Sequence, residues 1–296
     1  MVSVVTVNFN AGALLTEAVR AALASTEPVE VIVVDNASTD DSIRLLREAL
    51  GSDPRLHIVE AGANLGFARG SNRGLALAGG EWLLLLNPDC VVGPETIGRV
   101  RAALAADPGA GMAGGLLLNE DGSEQAGCRR SVPTPGRAFM RAFGLSRLLR
   151  GAGREGGDFV LAGRPLPDGP AEVEAISGAF MMVRRDALDA VGALDEAYFM
   201  HCEDLDWCMR FRESGRRVLF VPGATAVHFK GTCSRGRPVR VLWHMHRGML
   251  RYYGKFFRGR YPGPLMWLVA AGVGLRFSLL ASLALLRSAR DRVHAP

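Results

Sequence analysis

The sequence has no Cys-x-x-Cys pair. Its five cysteines (Cys90, Cys128, Cys202, Cys208 and Cys233) are odd in number and dispersed. That pattern excludes a disulfide framework and points to a reducing, cytoplasmic compartment. The 36 glycines follow no three-residue period, which excludes a collagen-like chain. No repeat of 20–50 residues stands out, which argues against a solenoid. No GxGxxG follows the first apolar run and no GxxxxGK[ST] occurs, so neither the usual dinucleotide site nor a P-loop is encoded. A signal peptide is not expected, because Met1 leads straight into a strand-like run, Val2 to Val7.

Hydrophobic residues at 48% and charged residues at 22% describe a globular chain rather than a disordered one. At 296 residues the chain has room for one large domain, or one domain and an appendage. The formal net charge of +5 hides an asymmetry. Residues Arg235 to Pro296 carry twelve Lys and Arg against one acid, Asp291, so the first 234 residues carry a net −6. A basic tail on an acidic body suggests an anionic partner, lipid or nucleic acid.

Apolar runs alternate with helical patterns through the first half. Val2–Val7, Val29–Val34, Leu56–Val59 and Trp82–Leu86 read as strands. Leu14–Leu23, Ile43–Leu50 and Ala68–Ala78 read as helices. The alternation predicts an α/β fold with a doubly wound, mostly parallel sheet covered on both faces. Further on, Thr96–Ala105 reads as a helix and Gly111–Leu118 as a strand. Residues 129–170 form a long Gly-, Pro- and Arg-rich excursion with a basic amphipathic piece, Arg137–Arg150. Structure resumes at Val173–Val183 and a helix from Arg184. Glu203–Glu213 is helical and Val218–Val221 a strand, followed by basic loops.

In open α/β sheets ligands sit outside the carboxyl ends of the strands. Polar clusters fall at such ends: Asn8-Phe9-Asn10, the loop Asp35-Asn36-Ala37-Ser38-Thr39-Asp40, and Asn87-Pro88-Asp89. The Asp35 loop reads either as an Asx turn with a helix cap or as a contact to a nucleotide base or ribose. Asp89 reads as a turn aspartate or as a ligand to a hard cation. The glycine-rich segment Gly62 to Gly70 opens a helix, where phosphate is attracted. Glu203, Asp204 and Asp206 open another helix. They complement its dipole, or one of them is a general base. His228 is a core histidine or a metal ligand.

In order, VSVVTVNFN, VDNASTDDS, NLGFARGSNRG, LLLLNPD, GAFMMVRR, HCEDLDWCMRFRESG and AVHFKGTCSR resemble the family 2 glycosyltransferases, most closely the rhamnosyltransferase-type branch. The resemblance runs from about Val2 to Arg235. It implies a GT-A fold, a nucleoside-diphosphate-sugar donor, a divalent Mn2+ or Mg2+, and inversion at the anomeric carbon. By the same resemblance, Asp35 and Asn36 lie in the base-binding loop, bordered by Val7, Asn8 and Asn10. Asn64 and Arg69 face the diphosphate. Asn87 and Asp89 end the metal motif, Asp204 matches the catalytic base beside Glu203, and His228 matches a metal-side histidine. Ser177, Gly178 and Ala179 sit where donor and acceptor meet. Two departures stand out. Asn87 stands where the motif has its first acid, and Asn36 stands where some relatives have a second aspartate, in keeping with a base such as thymine; the resemblance implies a donor such as dTDP-rhamnose. The implied acceptor is lipid-linked or a polysaccharide.

The division expected is a GT-A domain over 1–235 and a helical extension over 236–296. Leu265–Leu275 and Phe277–Leu286 are uncharged runs split by Arg276. A central Arg costs about 2.5–3.5 kcal/mol on insertion scales, and both flanks are basic. A helix or bent pair lying on the anionic cytosolic membrane face is therefore the preferred reading. The alternatives are a membrane span, or a helix pair packed on the domain or on a second subunit of a homodimer. Retention of Asp89, Asp204 and His228 argues against an inactive sugar-nucleotide-binding scaffold. A nucleic-acid partner is not expected, because the tail's aromatics belong to no RNA-binding motif.

Overall fold

The computed structural model describes residues 1–142, 159–229 and 238–293. The alternating first segment is present as read: β1 (Val2–Asn8), α1 (Ala13–Leu23), β2 (Val29–Asp35), α2 (Ser42–Leu50), β3 (Leu56–Glu60), α3 (Phe67–Leu77) and β4 (Trp82–Leu86). Then come β5 (Cys90–Val92), α4 (Thr96–Ala106), β6 (Ala110–Leu118), β7 (Arg129–Arg130) and α5 (Pro135–Ala142). The remainder is β8 (Ala171–Val173), β9 (Ala175–Ile176), β10 (Phe180–Arg184), α6 (Arg185–Val191), α7 (Glu203–Glu213), β11 (Arg217–His228), α8 (Pro238–Phe257) and α9 (Gly263–Val293).

Nine strands form one sheet in the order β3-β2-β1-β4-β10-β6-β11-β5, with β8 also on β11. β7 and β9 make a small ribbon. The β3-β2-β1-β4 half is parallel. The other half is mixed. β10 runs antiparallel between β4 and β6, and β5 and β8 run antiparallel to β11. A parallel neighbour needs a crossover that returns the chain to the sheet's far end. Here the excursion and the β7/β9 ribbon lead the chain into β10 close to where β4 ends, so β10 runs back. The single run Val173–Val183 is accordingly cut into β8, β9 and β10.

Successive strand residues point to opposite faces, and each face carries its own core. Val2, Val4, Val31, Val33, Leu84 and Leu86 pack under α1, α2 and α4. Val5, Ile32, Val34, Leu83 and Leu85 share a core with Ala68 and Leu75 of α3, Ala187 and Leu188 of α6, and Leu205, Trp207 and Phe211 of α7. Gly74 sets α3 directly on β1, since a Cβ there would lie 2.3 Å from Val5 Cγ1.

One tail feature differs from the reading above: α8 opens the helical extension where basic loops were expected. Its apolar stripe (Tyr252, Tyr253, Phe256, Phe257) is buried in the same core as α7. Gly248, Gly254 and the intervening Arg251 hide that stripe from propensity, and tertiary packing overrides them. The apolar stretch after it is α9, one continuous helix through Arg276, the first of the two forms expected, a helix or a bent pair. Arg276 Nη1 lies 3.1 Å from His246 Nε2 on α8, and His246 Nδ1 lies 2.7 Å from Leu242 O. A charge that would break an apolar run is thus held by the neighbouring helix. The Arg137–Arg150 piece enters α5 and then passes outside the described residues.

α8 is tied to α7 by charge as well as packing. Fully buried Asp206 accepts from Tyr198 Oη (3.1 Å), Arg210 Nε (2.8 Å) and Lys255 Nζ (2.7 Å). Lys255 and Arg251 also reach Asp195. Gly248 lets α8 touch the turn before α7, because a Cβ there would lie 2.8 Å from His201 O and 3.3 Å from Cys202 Cβ. Gly248→Val should therefore lose about 1–3 kcal/mol by overpacking, despite the poor helix propensity of glycine. Urea unfolding checks this, and an unchanged or raised midpoint would contradict the contact.

Candidate active site

The polar residues at the ends of β1 and β2 are bound mainly to each other. Buried Asn8 Nδ2 lies within 2.9 Å of Asp35 Oδ1, Ser38 Oγ and Ser42 Oγ. Asp35 also accepts from Ser38 N and Oγ. Asn10, at φ 55°, takes the amides of Thr39 and Asp40 on its Oδ1. The Asx-turn reading is realised, and it shapes the loop without using every atom. Asn36 Nδ2 donates to Gly66 O, while Asn36 Oδ1 and Asn8 Oδ1 are buried without partners. A buried unpaired carbonyl oxygen is costly, and a ligand donor would satisfy it.

The start of α3 closes this side. Gly66, at φ 82°, passes under Phe199, where a Cβ would meet Phe199 O at 2.4 Å. Phe67 N donates to Phe199 O and Gly66 N to Asn64 Oδ1. Two amides expected to be open to phosphate are thereby engaged. Gly70 brings α3 against Val7 and Asn36. Arg69 is exposed and lies 3.5 Å from Glu196.

The register of β11 against β5 sets His228 opposite Cys90, beside Asp89. Asp89 Oδ1 lies 3.2 Å from His228 Nε2, yet it is buried and makes no hydrogen bond. Asn87 Nδ2 lies 3.3 Å from the same imidazole nitrogen, and Gln125 Oε1 lies 2.6 Å from Nδ1. An open cleft of about 290 Å³ reaches His228 between Asn119, Glu120 and Asp121. No group of three His, Cys, Asp or Glu gathers among the described residues. An orphaned carboxylate oxygen beside an imidazole nitrogen nevertheless fits a cation that takes most of its ligands from a diphosphate and water.

On the other side, His201 (φ 66°) and Cys202 (φ 71°) make a left-handed turn into α7, a conformation costing non-glycine residues about 1–3 kcal/mol each. It delivers Glu203 and Asp204 to the helix start. Asp204 forms an ion pair with Arg130 through Oδ2, which also accepts from Gly178 N at 3.2 Å, while Oδ1 accepts from Leu205 N at 2.8 Å. Burial works to raise the Asp204 pKa, but the Arg130 charge and these hydrogen bonds win and hold it below the ordinary value. Glu203 goes the other way. Burial first, and then the Asp204 charge, push it up to about 8, and its Oε2 has no partner. Two adjacent carboxyls therefore hold opposite protonation states at neutral pH.

The turn Ser177-Gly178-Ala179 joins the two sides. Gly178 N reaches Asp204, and Ala179 O accepts from Asn87 N at 2.9 Å. Ser177 Oγ accepts from Ala179 N.

A family model, "Glycosyl transferase family 2", matches residues 3–156. The N-acetylglucosaminyl-diphospho-decaprenol L-rhamnosyltransferase of Mycobacterium tuberculosis is 30% identical over 284 residues, covering 92% of this chain and 89% of that protein. The chain belongs to glycosyl transferase family 2. A hexosyltransferase of low-salt glycan biosynthesis from Haloferax volcanii is 25% identical over 67% of the chain and 58% of its own length. The fold is shared with a Pyrobaculum calidifontis mannosyltransferase solved with GDP-Man and Mn2+ (TM-score 0.59, 18% identity, 100% of this chain and 76% of that one). It is also shared with S. aureus TarS solved with UDP-GlcNAc (TM-score 0.59, 15% identity, 92% and 71%). The GT-A architecture and the transferase class follow.

Two residues of this glycosyltransferase escaped the sequence reading. Arg130 sits in the Gly-, Pro- and Arg-rich excursion, from which no site residue was expected. The clue was three acids at one helix start, because a buried carboxylate needs a cation. Gln125 gave no sequence signal, since it follows an ordinary turn.

The Glu203 shift has a sign that can be checked. Its folded pKa lies above the unfolded one, so its contribution is fully present below the unfolded value near 4.5 and is lost as pH rises through about 8. Relative to Glu203→Gln, the wild type should lose stability between those limits, at no more than about 1.4 kcal/mol per pH unit. Urea midpoints of both proteins at pH 6 and pH 8.5 test this, and a gap that does not change with pH would contradict the shift.

Proposed function

We propose that this glycosyltransferase moves a rhamnosyl group from dTDP-rhamnose to a hydroxyl of a lipid-linked or polysaccharide acceptor, inverting the anomeric carbon. The observation that carries the reading is the 177–179 turn, bonded to Asp204 on one side and to Asn87 of the Asn87-Pro88-Asp89 corner on the other. The named activity of the mycobacterial relative supports the choice of sugar and of a lipid-linked acceptor.

Asp204, ionised and oriented by Arg130 and Gly178 N, takes the proton of the acceptor hydroxyl. The acceptor oxygen attacks the anomeric carbon from the face opposite the nucleoside diphosphate. The new bond forms as the bond to the diphosphate oxygen breaks. Asn8, Asn10, Asp35, Asn36 and Val7 frame the base, with Asn36 Oδ1 still lacking a donor. Asn64 and Arg69 lie toward the diphosphate, and neutral Glu203 avoids adding a second negative charge. Asp89 and His228, beside Asn87, would hold Mn2+ or Mg2+. Such a cation would stabilise the charge of the departing diphosphate.

Residues 1–235 are the catalytic part of this reading, and 236–296 the part that meets the membrane. The segment Gly263–Arg287 is long and apolar enough to cross a bilayer by length and composition. With Arg258, Arg260 and Arg287 exposed at its ends, it would rather lie along the anionic cytosolic face. Trp267, Leu268 and Leu275, each more than two-thirds exposed, would enter the lipid.

Asp204→Asn should reduce transfer by about 10²–10⁴-fold while dTDP-rhamnose binding stays near wild type. Turnover close to wild type would remove Asp204 from the role of base. Trp267→Glu with Leu275→Glu should sharply reduce co-sedimentation with vesicles containing anionic lipid. Unchanged binding, or a dimer that forms without lipid and buries this face, would contradict the membrane reading.

A further inference from the structure

Gln125 is buried just after the turn that follows β6, and its side chain is held in one orientation. The chain of bonds that holds it starts at a group with only acceptors. The Asp121 carboxylate accepts from the Ser123 hydroxyl at 2.5 Å. The Ser123 oxygen, its proton committed, accepts from Asn119 Nδ2 at 2.9 Å. Asn119 therefore presents Oδ1 to Gln125 Nε2, at 3.1 Å. Gln125 Nε2 also donates to the His228 carbonyl oxygen at 3.2 Å, a second group that only accepts. Two acceptors thus face the Gln125 amide nitrogen, and the atom 2.6 Å from His228 Nδ1 must be Oε1. Two lone pairs at that separation would repel, so Nδ1 carries the proton.

The other imidazole nitrogen fits that assignment. Nε2 lies 3.3 Å from the Asn87 amide, a donor. It lies 3.2 Å from Asp89 Oδ1, which makes no hydrogen bond. A neutral imidazole can carry its proton on either nitrogen. With a carboxylate that close, a free ring would place it on Nε2 and donate to Asp89. That bond would occupy the imidazole lone pair and the carboxylate oxygen at once.

We propose that Gln125 is a positioning residue. It holds His228 as the Nδ1–H tautomer, so that the Nε2 lone pair and Asp89 Oδ1 stay together as a two-atom seat for the divalent cation of a nucleoside diphosphate. The relay Asp121–Ser123–Asn119 keeps the Gln125 amide from turning over. Outer hydrogen bonds of this kind fix the tautomer and orientation of a metal-binding histidine. The inference rests on the metal-assisted reading above, and its first readout needs no metal.

Histidine 15N–1H correlation spectra of the metal-free wild type should show His228 protonated on Nδ1 alone. In Gln125→Met the proton should move to Nε2. A proton on Nε2 in the wild type overturns the proposal, whether or not any variant folds. Mn2+ binding in the presence of dTDP, followed by electron paramagnetic resonance, should weaken about 10–100-fold in Gln125→Met. Gln125→Glu keeps the acceptor for Nδ1 but sets a second oxygen against Asn119 Oδ1 and the His228 carbonyl, so stability should fall while the proton stays on Nδ1. Equal Mn2+ affinity in Gln125→Met and wild type overturns the proposal. So does loss of the Nδ1 proton in Gln125→Glu. A wild type that binds no Mn2+ with dTDP overturns the metal-assisted reading instead, and the spectra still decide the tautomer.

Discussion

Two backbone groups of one turn, Gly178 N and Ala179 O, hold the site together. One fixes a carboxylate at the start of α7. The other fixes the corner after β4. The turn is where it is because β10 runs antiparallel to β4, so its first residue lies opposite the last of β4. Had β10 entered parallel, the turn would lie at the opposite end of the sheet from Asn87 and Asp89. The mixed half of the sheet is therefore the feature from which the site's geometry follows.

Burial then sorts the charges. Asp204 is kept ionised by one guanidinium and two backbone amides, while at Glu203 next to it burial and the Asp204 charge outweigh the pull of Arg130 and hold it neutral. Asp206, one turn face away, is matched by Tyr198, Arg210 and Lys255. Three neighbouring acids thus have three different surroundings. Through Lys255 and the close approach at Gly248, α8 is part of this arrangement. The C-terminal hairpin therefore bears directly on the turn that presents Asp204.

Much of this was legible in the sequence and some was not. β1, β2 and β4 are apolar runs buried on both faces, and such runs announce themselves. Asp89, Asp204 and His228 stand in motifs whose order is the family signature. The β10 direction depends on where a long, irregular excursion returns, which no local pattern records. The second half of β11, Ala224 to His228, contains small residues and threonine and reads poorly as a strand. It is nonetheless the segment that carries His228 to Asp89. Arg130 shows its role only beside its distant partner Asp204, and Gln125 only where the fold sets it against His228. The helix α8 was hidden by its glycines and charges, which packing on α7 overrides. The turn at Asp35 shows the opposite case. The turn reading of the residues was realised, and Asn36 Oδ1 and Asn8 Oδ1 were left over without partners.

The central claim is that the Asp89–His228 corner and the Asn36 loop form one metal-dependent site for a nucleoside-diphosphate sugar. The most direct measurement is the melting temperature of the full chain against a panel of such sugars, each with and without Mn2+. The account predicts a shift with dTDP-rhamnose that requires Mn2+ and disappears in Asp89→Ala. A ligand at 100 times its Kd stabilises by about 2.7 kcal/mol, which is readily visible. A flat panel, or a shift indifferent both to Mn2+ and to Asp89→Ala, would contradict it.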